Sequence, residues 1–298
     1  MIGATRYVAQ SEINRQAQLA ADISKLQESI SSGKRLSAPS DDPAAAARIS
    51  EIRQTQANET VYTANVNTGT AIANAADDQL STVASALDRA KELMLSGSND
   101  TNSATDRAAL ATELRGIAQD IQTYSNATDP NGQPLFPAGT PIAIPVSDSL
   151  SISATDSQAN IFGNVTTAAG SKSIVDILNQ AADSLELGDG DITVTNPDGT
   201  TSTTTRSAQI TASLGEVTDA VNHIASVRTD QGIREQRFQA AGARLTASAT
   251  DLTTERSSLE DTDLTYAVST FQSKQLSLQA AQTVYAQSQK TSLFSLLG

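Results

Sequence analysis

Few side chains in this 298-residue chain have the chemistry for catalysis or metal binding, and their spacing does not assemble them. Cysteine is absent, which removes disulfides, thiolate nucleophiles and thiolate metal sites. His223 is the only histidine and falls among Val221, Ile224 and Val227 in a helical rhythm. One histidine makes no His-Glu-x-x-His pair, and no Ser/His/Asp set is supported, so a helix-packing role is the favoured reading. Asp189, Asp191 and Asp198 offer oxygen ligands for a hard cation. Their spacing lacks the later bidentate Glu of a calcium loop, so they read as acidic loop residues. Asp41 and Asp42 are paired carboxylates, but beside Pro43 they suit a helix start, where a side-chain oxygen accepts from free backbone N–H groups. Gly188 and Gly190 precede neither a helix nor a Lys-Ser/Thr pair, so they do not form a phosphate loop. No enzyme, cofactor or metal centre is expected. The chemistry that remains is packing.

The stretch that needs a partner most is Leu264 to Gly298. Val268, Phe271, Leu278, Ala281 and Tyr285 recur at intervals near three and four or their sum, which is one face of a helix and resembles a coiled-coil seam. After Asp263 there is no acid, and the only bases are Lys274 and Lys290. Gln, Ser, Thr and Ala fill the other faces, so this helix can pack on several neighbours without burying unpaired charge. At ~1.5 Å per residue it runs about 50 Å, too long for a small globular core. Alone, with one weak seam, it is expected to be marginal. Near the other end, Leu19, Ile23, Leu26 and Ile30 make a matching stripe within a helix over residues 5–32.

Hydrophobic residues make up 38% and aromatics only 3%, with no Trp, which disfavours a compact aromatic-rich enzyme core. The net charge of −13 is uneven: residues 1–35 and 264–298 each carry +2, which leaves −17 on residues 36–263. So acidic a middle argues against a nucleic-acid partner. No run of eighteen apolar residues occurs, so no membrane span is expected. The N-terminal residues lack an apolar signal-peptide core, so export, if it occurs, is expected to use another route.

In chain order, the first helix ends at Gly33, suited to a left-handed cap, and residues 34–43 break the pattern. Asp42 and Pro43 then start a long helix to about Leu95, with Ala76, Leu80, Val83, Leu87, Ala90 and Met94 in a four-three rhythm. Residues 96–104 turn, and Leu110, Leu114, Ile117, Ile121 and Tyr124 mark a third helix. Six of the eight prolines fall in residues 129–205, which changes the composition. There 142–152, 159–166 and Ile192–Thr195 read as strands, the last leading into the turn-like Asn196-Pro197-Asp198-Gly199, and Ile174 to Leu185 reads as a short helix. From Arg206 to about Glu260 the helical rhythm returns, and Asp261-Thr262-Asp263 breaks it before the terminal helix.

The expected fold is mainly α: a long-helix antiparallel bundle or coiled coil with paired terminal helices and a small inserted mixed α/β domain. Residues 1–40 and 262–298 form the terminal helical domain, 41–129 and 206–261 the long-helix domain, and 130–205 the inserted outer domain. The assembly interface is expected at Leu19, Ile23, Leu26, Ile30, Val268, Phe271, Leu278, Ala281 and Tyr285.

Ser31-Ser32-Gly33-Lys34-Arg35-Leu36 followed by Pro39-Ser40-Asp41-Asp42-Pro43 resembles the N-terminal signature of the bacterial flagellin superfamily. Leu259-Glu260-Asp261-Thr262-Asp263 and the Gln/Ala-rich helix ending Ser292-Leu293-Phe294-Ser295-Leu296-Leu297 match its C-terminal one. The motif residues carried over are Ser32, Gly33, Asp41, Asp42 and Pro43. Within the superfamily, Asp41-Asp42-Pro43 and Thr128-Asp129-Pro130-Asn131-Gly132-Gln133-Pro134-Leu135-Phe136 are more similar to the hook–filament junction members; Phe136-Pro137-Ala138-Gly139 departs from their usual Phe-Ala-Gly. The resemblance covers about residues 1–136 and 206–298. It implies a structural subunit of the bacterial flagellum that joins hook to filament through coiled-coil packing of its terminal helices. It implies as partners other copies of the chain, a neighbouring hook-associated protein, flagellin subunits, and a flagellar export chaperone bound through the C-terminal region. It further implies an extracellular site reached by type III export without a cleaved signal peptide. The alternatives are a filament-forming flagellin and a flagellin-like surface protein that binds polysaccharide through its Ser/Thr-rich insert.

Overall fold

The structure, a computed structural model, describes residues 2–99, 101–129, 131–188, 191–195 and 201–297. Six helices carry it: α1 (Ile2–Ser32), α2 (Pro43–Gly97), α3 (Ala104–Ser125), α4 (Ile174–Glu186), α5 (Arg206–Glu260) and α6 (Leu264–Leu297). Three antiparallel ribbons join them: β1 (Ala143–Pro145) with β2 (Ser151–Ser153), β3 (Val165–Thr167) with β4 (Gly170–Lys172), and β5 (Asp191–Thr195) with β6 (Thr201–Thr205). The expected mainly α fold with short mixed elements is therefore present. Two local expectations change: 142–152 is not one strand but a hairpin in which β1 ends at Pro145 and β2 starts at Ser151, and Ala159–Gly163 is a π-helix, the strand starting only at Val165.

The helix ends follow from their caps. The Ala45 N–H donates to Asp42 Oδ1 (3.0 Å), and Pro43 takes the first helical position, where its missing N–H costs nothing. Ser103 and Asp106 form a reciprocal capping box on α3, and Ser173 caps α4. Gly33 follows α1 at φ +70°, a conformation that disfavours any side chain.

By packing, the chain divides into two units, residues 1–58 with 247–298 and residues 59–246. The expected boundaries at the helix breaks differ from this. The start of α2 and the end of α5 group with the terminal helices, because Arg48 pairs with Glu255 (2.7 Å) and Arg53 with Glu260 (3.1 Å) beside the breaks.

The larger unit holds the main core. Leu80, Val83, Leu87, Ala90 and Met94 of α2 meet Leu114 and Ile121 of α3 and Val217, Ala220 and Ile224 of α5, all essentially excluded from solvent. The segment 130–205, expected to be a separate insert, contributes to this core. Every apolar anchor of α4 (Ile174, Ile177, Leu178, Ala181, Ala182, Leu185) is buried in it, and α4 lies against α3. The turn after α3 explains how the chain gets there. Asp129 Oδ1 accepts from the Asn131 and Gln133 N–H groups (both 2.8 Å), Gly132 takes φ +78°, and the reversal buries Leu135 and Phe136. Phe136 then meets Phe162 edge to face at 5.3 Å. A second cluster places Phe238 of α5 over Gly69 of α2, with Val146, Ile152 and Ala154 of the β1–β2 region beside it.

Candidate assembly interface

The smaller unit contains the expected interface. In it α1 and α6 lie side by side and antiparallel: Asp22 pairs with Lys274, while Gly33 meets Thr262 at the shared end. Leu19, Ile23, Leu26 and Ile30 of α1 and Phe271, Leu278, Ala281 and Tyr285 of α6 are all half-buried on this seam. Val268 is not. It is 39% exposed, and Ala267, at 3%, takes the seam position instead. The cause is angular: Ala267, Phe271, Lys274, Leu278, Ala281 and Tyr285 keep one face at four-three spacing, and Val268 lies about 100° round from it.

The seam is thin and partly polar. Lys274 lies half-buried within it, and Gln16 Nε2 is buried with no hydrogen-bond partner among the described residues. Round the helix from the seam, α6 presents Tyr266, Leu276 and Val284 to solvent, with Ser269, Ser273 and Ala280 between them. This second stripe is uncharged, with three large apolar side chains among small ones. Two helices alone leave it uncovered.

The motif residues hold the joint at the foot of this pair. Ser32 Oγ donates to the Glu28 carbonyl (2.8 Å) and accepts from the Lys34 N–H (3.2 Å), so it ends α1 from both sides. Asp41 Oδ2 accepts from the Ala38 N–H (3.0 Å), and that bond, with Lys25 nearby, holds its carboxyl below the ordinary carboxylate value. Asp42 is therefore the helix cap expected of the pair, whereas Asp41 closes the turn before it, bonded back to Ala38. The two breaks are also stitched to each other: the Arg35 N–H donates to the Glu260 carbonyl (2.8 Å) and the Thr262 N–H to the Gly33 carbonyl (2.9 Å). Asp263 then caps α6, its Oδ1 accepting from the Tyr266 N–H (3.0 Å).

Glu260 stands in the sequence only as one position of the Leu259–Asp263 motif, and the structure gives it a role. Its largely buried carboxylate receives Lys34 Nζ (2.6 Å), Arg53 (3.1 Å) and Arg256 (3.8 Å). The Lys34 hydrogen bond is the main cause that holds its carboxyl below the usual range, against the opposing effect of burial. Lys34 and Glu260 lie 226 residues apart, and only the matching positions of the two breaks hinted at their meeting. Beside them is an open cleft of about 310 Å³, floored by Leu36, Pro39, Ala46 and Ile49 and rimmed by Arg53 and Glu260.

The residues weighed for other chemistry lie elsewhere. His223 Nε2 sits 3.1 Å from the carbonyl oxygens of both Asn160 and Ile161, so it carries a proton and ties α5 to the π-helix. Asp189, Asp198 and the turn Asn196-Pro197-Asp198-Gly199 lie outside the described residues, and Asp191 begins β5. Among the described residues no group of three or more His, Cys, Asp or Glu is gathered as a metal-ligand set, and no helix is long and apolar enough to cross a membrane.

Comparison with known proteins agrees with this layout. Residues 4–140 match the bacterial flagellin N-terminal helical region, and residues 214–297 match the bacterial flagellin C-terminal helical region. The chain is 25% identical to flagellar hook-associated protein 3 of Escherichia coli over 93% of each chain. It is 26% identical to the flagellin of Bacillus subtilis over 94% of this chain and 93% of that one. Its fold is similar to that of the flagellar junction protein FlgL from Legionella pneumophila, with TM-score 0.55 and 15% identity over 72% of this chain and 100% of that one.

Proposed function

The chain belongs to the bacterial flagellin family, and on that premise we propose that it is a structural subunit of the flagellum that joins hook to filament. The observation that carries this reading is the terminal pair. One apolar seam of α6 is used against α1, and a second stripe (Tyr266, Leu276, Val284) stands open on a helix that carries no acid and only the bases Lys274 and Lys290. In the proposed assembly that stripe packs on neighbouring copies, on a second hook-associated protein and on flagellin. Leu19, Ile23, Leu26, Ile30, Phe271, Leu278, Ala281 and Tyr285 keep each pair in register there. Before assembly the same C-terminal stripe is the natural surface for an export chaperone, and the subunit reaches the extracellular flagellum through the type III apparatus.

Similarity to the Bacillus subtilis flagellin favours one second reading, a filament-forming subunit. Position in the cell separates the two. The chain has no cysteine, so a single exposed Ser→Cys substitution gives one labelling site on intact cells. The junction reading expects one band where hook meets filament. Label spread along the filament would replace it with the flagellin reading.

A further inference from the structure

Asn131-Gly132 is the only Asn-Gly pair in the chain. Such a pair is prone to spontaneous loss of its side-chain amide, because glycine has no side chain to keep its backbone nitrogen off the preceding carboxamide. The Gly132 nitrogen gives its proton to hydroxide and attacks Asn131 Cγ, the Cγ–Nδ2 bond breaks, and ammonia leaves. Water then opens the succinimide at either carbonyl and yields aspartate or isoaspartate. Both residues are exposed, so the fold does not keep water or hydroxide away. It holds the reacting groups instead. The Gly132 N–H donates to the Asp129 carbonyl (2.9 Å), and Asn131 Nδ2 donates to Asp129 Oδ2 (3.3 Å). Oδ1 of the same carboxylate accepts from the Asn131 and Gln133 N–H groups (both 2.8 Å). The Asp129 N–H donates to the Gln133 carbonyl (2.7 Å) and the Leu135 N–H to the Ala127 carbonyl (2.9 Å), which closes the turn behind them.

We propose that Asn131-Gly132 is a latent deamidation site that the Asp129 turn holds shut, so that the chain is modified there only while this turn is open. For the Gly132 nitrogen to reach Cγ, its bond to the Asp129 carbonyl must break and the carboxamide must leave Oδ2. The Asp129 carboxylate adds a second obstacle, since a negative charge beside the site opposes loss of the Gly132 proton. The isoaspartyl product carries an extra methylene in the main chain. The bonds of Gln133 and Leu135 then fall out of register, and the reversal that buries Leu135 and Phe136 does not close. Modification therefore marks molecules that have spent time with the turn open and hinders their closing it again. This holds for the single chain, whatever it assembles into.

The test incubates the full-length chain at mildly alkaline pH, folded and in concentrated urea. After digestion, mass spectrometry reads the acid and isoaspartyl content of the peptide that holds residue 131. Urea should speed modification at Asn131 by more than about tenfold. Asn131→Gln, whose longer side chain does not close the succinimide ring, should remove the signal in both conditions. In the folded state Asp129→Ala should be modified about tenfold faster than the parent, because the carboxylate bonds that hold the turn are gone. Asp129→Asn keeps an oxygen for the Asn131 and Gln133 N–H groups but no acceptor for Asn131 Nδ2, so its rate should rise only about threefold. Melting curves separate local opening from general unfolding, and the Asn variant decides if the Ala variant has lost its main transition. Equal rates for the parent folded and in urea would overturn the proposal. So would folded Asp129 variants that keep the parent's rate.

Discussion

The same four-three rhythm of apolar residues runs through both units, yet it is buried in one and half-exposed in the other. In the larger unit Leu80, Val83 and Leu87 are wholly excluded from solvent, because α3, α4 and α5 cover α2 from several sides. In the terminal pair Leu19, Ile23, Leu26, Phe271 and Leu278 remain partly exposed, because each helix has one neighbour. Periodicity therefore reports that a face exists, and the number of covering elements decides how much that face stabilises. Burial of a Leu side chain is worth ~1.5–3 kcal/mol when complete and correspondingly less on a two-helix ribbon. One unit can hold itself together; the other is built to be completed.

The largest effect expected from this comparison is in the covered core. Leu80→Ala should lower the unfolding free energy by about 2–5 kcal/mol in urea titration, because α2 cannot collapse into the space with α3 and α5 fixed around it. A loss well under 1 kcal/mol would mean that the larger unit is no better packed than the ribbon. Next is Gly69→Ala. A Cβ there would meet the Phe238 ring at 2.3 Å, so the ring must shift within a filled cluster, at a cost of about 1–3 kcal/mol. Unchanged thermal stability in this variant would show that Phe238 has room to move.

A smaller effect belongs to Glu235. Burial, aided by the nearby Asp77 and Asp78, raises its carboxyl above the ordinary value, and Oε1 has no hydrogen-bond partner among the described residues. A raised carboxyl binds its proton more tightly in the folded state. Its contribution to stability is therefore full below the ordinary value of 4.5 and is lost as pH rises through the folded value. Glu235→Gln removes that loss, so the variant should melt about 1–2 °C above the parent at pH 7 and lose this advantage near pH 4. An advantage that grew toward acid pH would contradict the assignment.

Much of this was legible in the sequence. The spans of α2, α4, α5 and α6 follow from apolar spacing and from caps such as Asp42, and the seam follows from Leu278, Ala281 and Tyr285. Val268 shows the limit: a sparse stripe on an almost uncharged helix leaves its centre free by one residue, and only the partner helix selects Ala267. The part played by residues 130–205 was hidden for another reason. Prolines and short strands mark a change of local structure, and they do not tell whether an amphipathic piece such as Ile174–Glu186 turns outward or into the core. The pairs of Glu260 with Lys34 and Arg53 join residues more than two hundred positions apart, so only the matching positions of the two breaks hinted at them.

On the proposed function the terminal pair serves assembly while the larger unit carries the stability of the single chain. Leu278→Asp tests it most directly, since it puts a carboxylate on the seam of α6 and leaves residues 59–246 untouched. Two quantities are compared: the main melting transition of the purified full-length chain, and hook–filament continuity in cells that carry only the variant. A main transition within about 1–2 °C of the parent is expected, together with filaments lost from the hook, because the penalty recurs in every copy. Normal filaments and motility, or a collapsed main transition, would contradict it.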